Sequence, residues 1–339
     1  MKRFIFLVGF ILILCSMVLA DTSTLIDFTQ LSKDFPADKP QYNRRTAMNF
    51  SKEAGAGFTE EDKRLMVVSL GLDEWRVELA SSSRTTQRVA NSICKQAVTA
   101  PNASDYNGED MKSRTILGVR IMFPESAFNS YAIIKPPFEI QAYQDKQTIQ
   151  DDFTPVVADE DKGKGDMFDN FGVIKNVGII KDIQVTVYGA NFPHGLEIIL
   201  QNENFEQQSF HIAYLDYEGW ATQTWTNPNY ISDVRNREVR KFPLYPKEMP
   251  YQKFIGFVVY RDANALGGDF ITYFKDVKMT YDKAVRTLDE PQIEDEKMWG
   301  ILETRAAKRR KAEYKRLGAQ QVLELIERQK MDTSTSNTE

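Results

Sequence analysis

From residue 65 to about 283 strand signals dominate the pattern of apolar and polar positions. In Trp75-Arg76-Val77-Glu78-Leu79 large apolar side chains alternate with charges, the period-two signature of a strand with one wet face. Further candidate strands lie at 115–123, 131–134, 138–143, 179–188, 196–200, 210–217, 220–225, 254–260 and 270–281, and 65–70 is a short apolar run. Gly, Pro and Asn separate them, and no helical period intervenes. Alternating helices would mark parallel βαβ units; their absence predicts a mainly β protein, an antiparallel jelly-roll-like β-sandwich. The stretch 144–171 is either one long loop or a divide between two subdomains.

The pattern changes at both ends of this 65–288 body. Residues 21–64 read as an extended N-terminal lead-in, polar and turn-rich at Pro36, Pro40, Gly55 and Gly57. From Ile293 to Lys330 there is no proline and only two glycines, Gly300 and Gly318, and strong helix formers dominate. Trp299, Leu302, Ala306, Leu317, Val322, Leu325 and Ile326 form a broken apolar stripe at helical spacing, which predicts a helical arm over 289–331 and a disordered tail at 332–339. Seven basic residues stand against two acidic ones between Glu303 and Arg316. Such a segment is a solvated helix packed on the sandwich, a basic arm docking on an acidic partner surface through residues such as Arg309 and Arg310, or a contact to anionic lipid or nucleic acid.

At the N-terminus, Lys2 and Arg3 precede an apolar run from Phe4 to Leu14, and the chain turns polar at Asp21 after small residues at Val18 and Ala20. This is the grammar of a secretory signal peptide, 1–20, cleaved between Ala20 and Asp21. A membrane anchor needs roughly 20 apolar residues, more than this run supplies. Leu12-Ile13-Leu14-Cys15 offers a lipid-attachment site only weakly, because Leu14 is bulky where a small residue is wanted. Cleavage moves the net charge from −5 to −7 and removes Cys15. The mature chain then has one thiol, Cys94, no internal disulfide and no stretch of membrane-spanning length, and it works outside the cytoplasm.

Composition narrows the chemistry. Of 339 residues 42% are hydrophobic and 12% aromatic, enough to bury a core, and 43 basic side chains face 48 acidic ones. A pI near 5.4 argues against a general nucleic-acid binder. Two histidines and two cysteines hardly stock a metal site. His194 lies in the turn Asn191-Phe192-Pro193-His194-Gly195 and His211 in a strand, each expected to be satisfied by local hydrogen bonds; neither adjoins a nucleophile elbow. Asp216 and Glu218 are a carboxylate pair of a kind that chance supplies. The acidic stretch 151–169 is interrupted by Lys162 and Lys164 and reads as a solvated loop rather than a calcium loop. No catalytic, cofactor-binding or metal-ligating residue emerges, and the expectation is a protein that is not an enzyme.

Aromatics remain. Tyr214, Tyr217, Trp220 and Trp225 lie within a dozen residues, and of these Tyr217, Trp220 and Trp225 are candidates for contact with a protein partner or a glycan. Trp220 and Trp225 are five apart, so an uninterrupted strand sends them to opposite sides and at least one into the core.

Several longer strings then come together: Trp75-Arg76-Val77-Glu78-Leu79 with Ser81-Ser82-Ser83-Arg84, Leu117-Gly118-Val119-Arg120-Ile121-Met122-Phe123-Pro124, and Tyr131-Ala132-Ile133-Ile134-Lys135-Pro136-Pro137-Phe138-Glu139-Ile140. With them go Lys175-Asn176-Val177-Gly178, Asn191-Phe192-Pro193-His194, Gly219-Trp220, Trp225-Thr226-Asn227-Pro228, Tyr230-Ile231, Val234-Arg235-Asn236-Arg237 and Pro243-Leu244-Tyr245-Pro246. Over about 65–250 the chain resembles the spirochaete flagellar filament outer-layer proteins, the class A sheath proteins of periplasmic flagella. The basic C-terminal helix lies outside the matching stretch. The resemblance implies a periplasmic structural subunit that coats a core filament of flagellin-like proteins, associates with itself within the sheath, and contributes to filament shape, stiffness and motility. The alternative is a periplasmic carbohydrate-binding jelly-roll module.

Overall fold

A computed structural model describes residues 21–32, 46–51, 57–64, 66–101, 111–150, 154–239, 250–284, 296–301, 303–305, 307–308, 322–324 and 326–327. The signal peptide with Ala20, both Arg309 and Arg310, and the tail at 332–339 lie outside the described residues.

Sixteen strands occur among the described residues: β1 (Asp21–Asp27), β2 (Met48–Asn49), β3 (Val67–Val68), β4 (Arg76–Leu79), β5 (Ile93–Val98), β6 (Thr115–Phe123), β7 (Ser130–Lys135), β8 (Thr148–Ile149), β9 (Pro155–Val156), β10 (Val173–Lys175), β11 (Val177–Ala190), β12 (His194–Gln201), β13 (Gln207–Tyr214), β14 (Glu218–Thr226), β15 (Tyr251–Arg261) and β16 (Gly268–Lys283). Twelve of them form one antiparallel sheet in the order β13-β12-β15-β7-β4-β5-β6-β16-β11-β14, with β1 added to β16 and β10 to β15. The middle of this path is thin: β4 and β5 meet only at Arg76 and Ile93. Its two end strands, β13 and β14, are consecutive in the chain. The sheet therefore folds over at β4–β5 into two layers, the sandwich that the alternating pattern predicts.

The alternation explains which face of each layer turns inward. In β12, Leu196, Ile198 and Leu200 are buried while Glu197 and Ile199 are half-exposed; in β7, Ala132 and Ile134 are buried and Tyr131 is open to solvent. The opposite layer contributes Leu117, Val119 and Ile121 of β6 and Ile183, Val185 and Val187 of β11 to the same core. Phe257 of β15 and Phe274 of β16 stack face to face across the two layers, with ring centroids 4.3 Å apart and planes 9° from parallel. Lys253, wholly buried, is held by Glu139 at 2.9 Å, an arrangement tolerable only because the charge is paired.

Three features depart from the pattern. The run 138–143 is not a strand, although Phe138 and Ile140 are buried: it is a loop threaded through the core. The body is not free of helices, holding α2 (Thr86–Asn91) and α3 (Tyr230–Val239) between α1 (Glu60–Arg64) and α4 (Glu296–Trp299). For α2 the start is local, since the Thr85 hydroxyl accepts from the Arg88 amide. Within 21–64, the segment from Asp21 enters the sheet as β1, with Leu25 and Ile26 fully buried and register Asp21↔Tyr281. Farther along, Val322 and Ile326, four apart and so on one helical face, are buried in the main core, and Glu324 pairs with Arg76.

Candidate functional site: aromatic side chains on the sandwich

The aromatic cluster of the sequence is distributed by β13, β14 and the turn between them. Tyr217 occupies that turn. Its hydroxyl donates to the Val187 carbonyl at 3.1 Å, and its ring lies on Gly189, where a Cβ would come within 2.7 Å of the ring carbons. Burial pushes its ionisation up to about 12. Asp216 and Glu218 flank it, both exposed.

Trp220 and Trp225, both on β14, enter different clusters. Trp220 is 8% exposed and packs with Met111 and Ile116, its ring edge-on to Tyr188 at 5.6 Å; Tyr188 in turn meets Tyr273 at 5.7 Å. Trp225 is half-buried against the main core and meets Phe210 of β13 edge-on at 4.7 Å. The three candidates thus do not share one surface.

A second aromatic group, which the density of aromatics along the chain does not reveal, is assembled by register. On the outer face of the other layer the row Tyr214, Gly195, Tyr260, Tyr131 crosses β13, β12, β15 and β7 as direct cross-strand neighbours. The Tyr260 hydroxyl donates to the Tyr214 hydroxyl at 3.0 Å and lies 3.5 Å from His211 Nδ1. The sequence signal was there as isolated letters, Tyr131, Gly195 and Tyr260, but only pairing places them in one row.

The titratable groups among the described residues are spread over separate parts of the fold. His194 heads β12, 2% exposed, boxed by Phe270 at 4.8 Å, Phe123 at 5.0 Å and Phe192 at 5.9 Å. It is not satisfied by local hydrogen bonds as its turn-like sequence suggested: neither ring nitrogen has a partner among the described residues. Burial first, and the neighbouring Arg261 second, lower its pKa to about 4, so the imidazole is neutral. In the acidic stretch four aspartates find lysines: Asp159 meets Lys162, Asp161 meets Lys164, Asp166 meets Lys146 and Asp169 meets Lys175. Among the described residues no group of three or more His, Cys, Asp or Glu is placed to hold a metal ion. No helix among them is long and apolar enough to cross a membrane.

The geometry defines a mainly antiparallel β-sandwich. The chain belongs to the flagellar filament outer layer protein FlaA family, whose model matches residues 39–290. It is 40% identical over 344 residues to the flagellar filament outer layer protein of Treponema pallidum, covering 100% of this chain and 97% of that protein. It is 38% identical to the protein of that name from Spirochaeta aurantia, over 98% of this chain and 94% of the relative, and 30% identical to that of Borreliella burgdorferi, over 83% and 74%. Among solved structures, a carbohydrate-binding module in complex with β-1,4-galactotriose covers 62% of this chain and 90% of its own length at 9% identity, with a TM-score of 0.25.

Proposed function

We propose that this chain is an exported subunit of the outer layer of a flagellar filament, laid on a core of flagellin-like proteins in the periplasm and contributing to the filament's shape, stiffness and motility. The observation that carries the reading is the match, end to end, to relatives named for that layer. The physical chemistry supports it. A layer subunit needs a rigid body and repeated contact surfaces, and the sandwich offers one core spanning both layers with aromatic side chains at its faces. The export signal at 1–20 delivers it, with cleavage after Ala20 leaving Asp21 at the start of β1. The basic segment around Arg309 and Arg310 supplies a charge contact to an acidic surface of the core.

The test is composition and form together. Flagella purified from the periplasm should contain this chain, starting at Asp21, as a major component, and filaments from a deletion strain should be thinner and altered in curvature. Absence of the chain from purified flagella would refute the proposal.

A further inference from the structure

The row of tyrosines on the outer face of the β13-β12-β15-β7 layer has a construction that a merely exposed set of side chains lacks. Gly195 stands in its middle, opposite both Tyr214 and Tyr260. A Cβ on Gly195 would lie 2.2 Å from two carbons of the Tyr260 ring. The Tyr260 ring therefore lies down over the neighbouring strand, in the space a side chain would fill, instead of standing off its own. Beside this flat ring, Tyr214 is turned 73° to it at 5.9 Å, and His211 is turned 49° at 6.0 Å. The result is a floor with a wall.

Polar groups rim the corner. Tyr214 and Tyr260 bring hydroxyls and His211 a ring nitrogen; Glu197, cross-strand from His211, brings a carboxylate that also accepts from Ser209. Burial of the Tyr260 hydroxyl, and then its bond to Tyr214, hold it protonated far above neutral pH, so it remains a hydrogen-bonding hydroxyl. On the far side of Tyr260, Tyr131 is 47% exposed, and Tyr214 is 42% exposed at the near end. Four strands at about 4.8 Å spacing make the row roughly 14 Å long.

We propose that this row is a binding site for a β-linked hexopyranose chain, one sugar ring lying on Tyr260 and its hydroxyls reaching Tyr214, His211 and Glu197. The chemistry of the two partners matches: a pyranose has a flat C–H face that suits an aromatic floor, and hydroxyls at its rim that need both donors and acceptors at the wall. An apolar partner would take the Glu197 carboxylate and the two hydroxyls out of water without supplying further hydrogen bonds to them. An extended β-linked chain also presents successive flat faces, which suits a row ending in exposed Tyr131. The site is separate from Trp220 and Trp225 and stands or falls independently of the outer-layer reading.

The experiment is calorimetric titration of the mature full-length chain with cellotetraose and with chitotetraose. The wild type is expected to bind at least one of them. Tyr260→Ala should weaken binding at least tenfold, and Tyr214→Phe, which keeps the ring and removes one hydroxyl, about fivefold. Trp225→Ala should leave binding unchanged. Circular dichroism and thermal melting establish that each variant is folded, and Tyr131→Ala, at an exposed position, should weaken the tetrasaccharide by a few fold without touching the core. Failure of the wild type to bind either sugar, or equal binding by Tyr260→Ala, overturns the proposal. So does a wild type that self-associates through this face, seen in sedimentation as dimers lost in Tyr260→Ala, while binding neither sugar.

Discussion

Phe210 and Trp225 meet edge-on at 4.7 Å, one on the first strand of the sheet path and the other on the last. The strands carrying them, β13 and β14, share no ladder, so this ring pair joins the flank of the sandwich through side chains rather than backbone hydrogen bonds. Trp225→Ala should cost about 2 kcal/mol of folding stability, less than a fully buried tryptophan because this one is half-exposed. With Phe210→Ala in a double-mutant cycle the coupling should be about 1 kcal/mol, read from urea unfolding midpoints. Strict additivity would mean that the two rings stabilise the flank separately.

His194 makes the fold sensitive to acid. Its folded pKa is about 4, lowered mainly by burial, against an ordinary value near 6.5. The unfolded chain therefore takes up a proton before the folded one does. Stability from this residue is complete above pH 6.5, falls as the pH drops towards 4, and levels off below; the full loss is about 3 kcal/mol. His194→Phe, which keeps an aromatic in the phenylalanine box, should flatten that slope. A midpoint of chemical unfolding that falls equally between pH 7 and 4 in both proteins would exclude His194 as the cause.

Lys253 and Glu139 form an ion pair in which the lysine is wholly buried. Glu139→Ala leaves an ammonium in the core and should destabilise by about 3 kcal/mol or more, whereas replacing both partners together, with Lys253→Met and Glu139→Leu, should cost less than that single change. Thermal melts of the two variants check the order.

Reversing charge at Arg309 and Arg310 to glutamate should weaken co-sedimentation with isolated filament cores. The loss should be several-fold at low salt and small in 0.5 M salt, because exposed charges are screened beyond a few ångströms there. Undiminished co-sedimentation at low salt would remove the basic arm from the contact.

Much of the sandwich is legible in the chain because its strands are short apolar runs bounded by turn residues: 115–123 is such a run, and β6 has those bounds. β5 escaped because Lys95, Gln96 and Ala97 dilute the pattern around buried Cys94, and its place is set by pairing with β6. The run 138–143 misled in the opposite sense. Its apolar residues report burial, and burial is not the same as ladder pairing. Clustering of aromatics along the sequence drew attention to Trp220 and Trp225, which pack inward to different degrees. The row through Tyr131, Gly195 and Tyr260 depends on contacts between residues scores of positions apart, which no local window contains.

The first strand of the sheet is completed by the last. Thr22 and Thr280, 258 residues apart, touch through their hydroxyls where β1 lies on β16, and Asp21 is bonded to Lys283 at 2.8 Å. A chain that emerges from its N-terminus must therefore keep β1 waiting, its edge open, until nearly everything else has arrived. Joining β1 to β16 is thus a contact of very long sequence separation, and the loop-closure entropy it must overcome places it among the slow, late steps of folding.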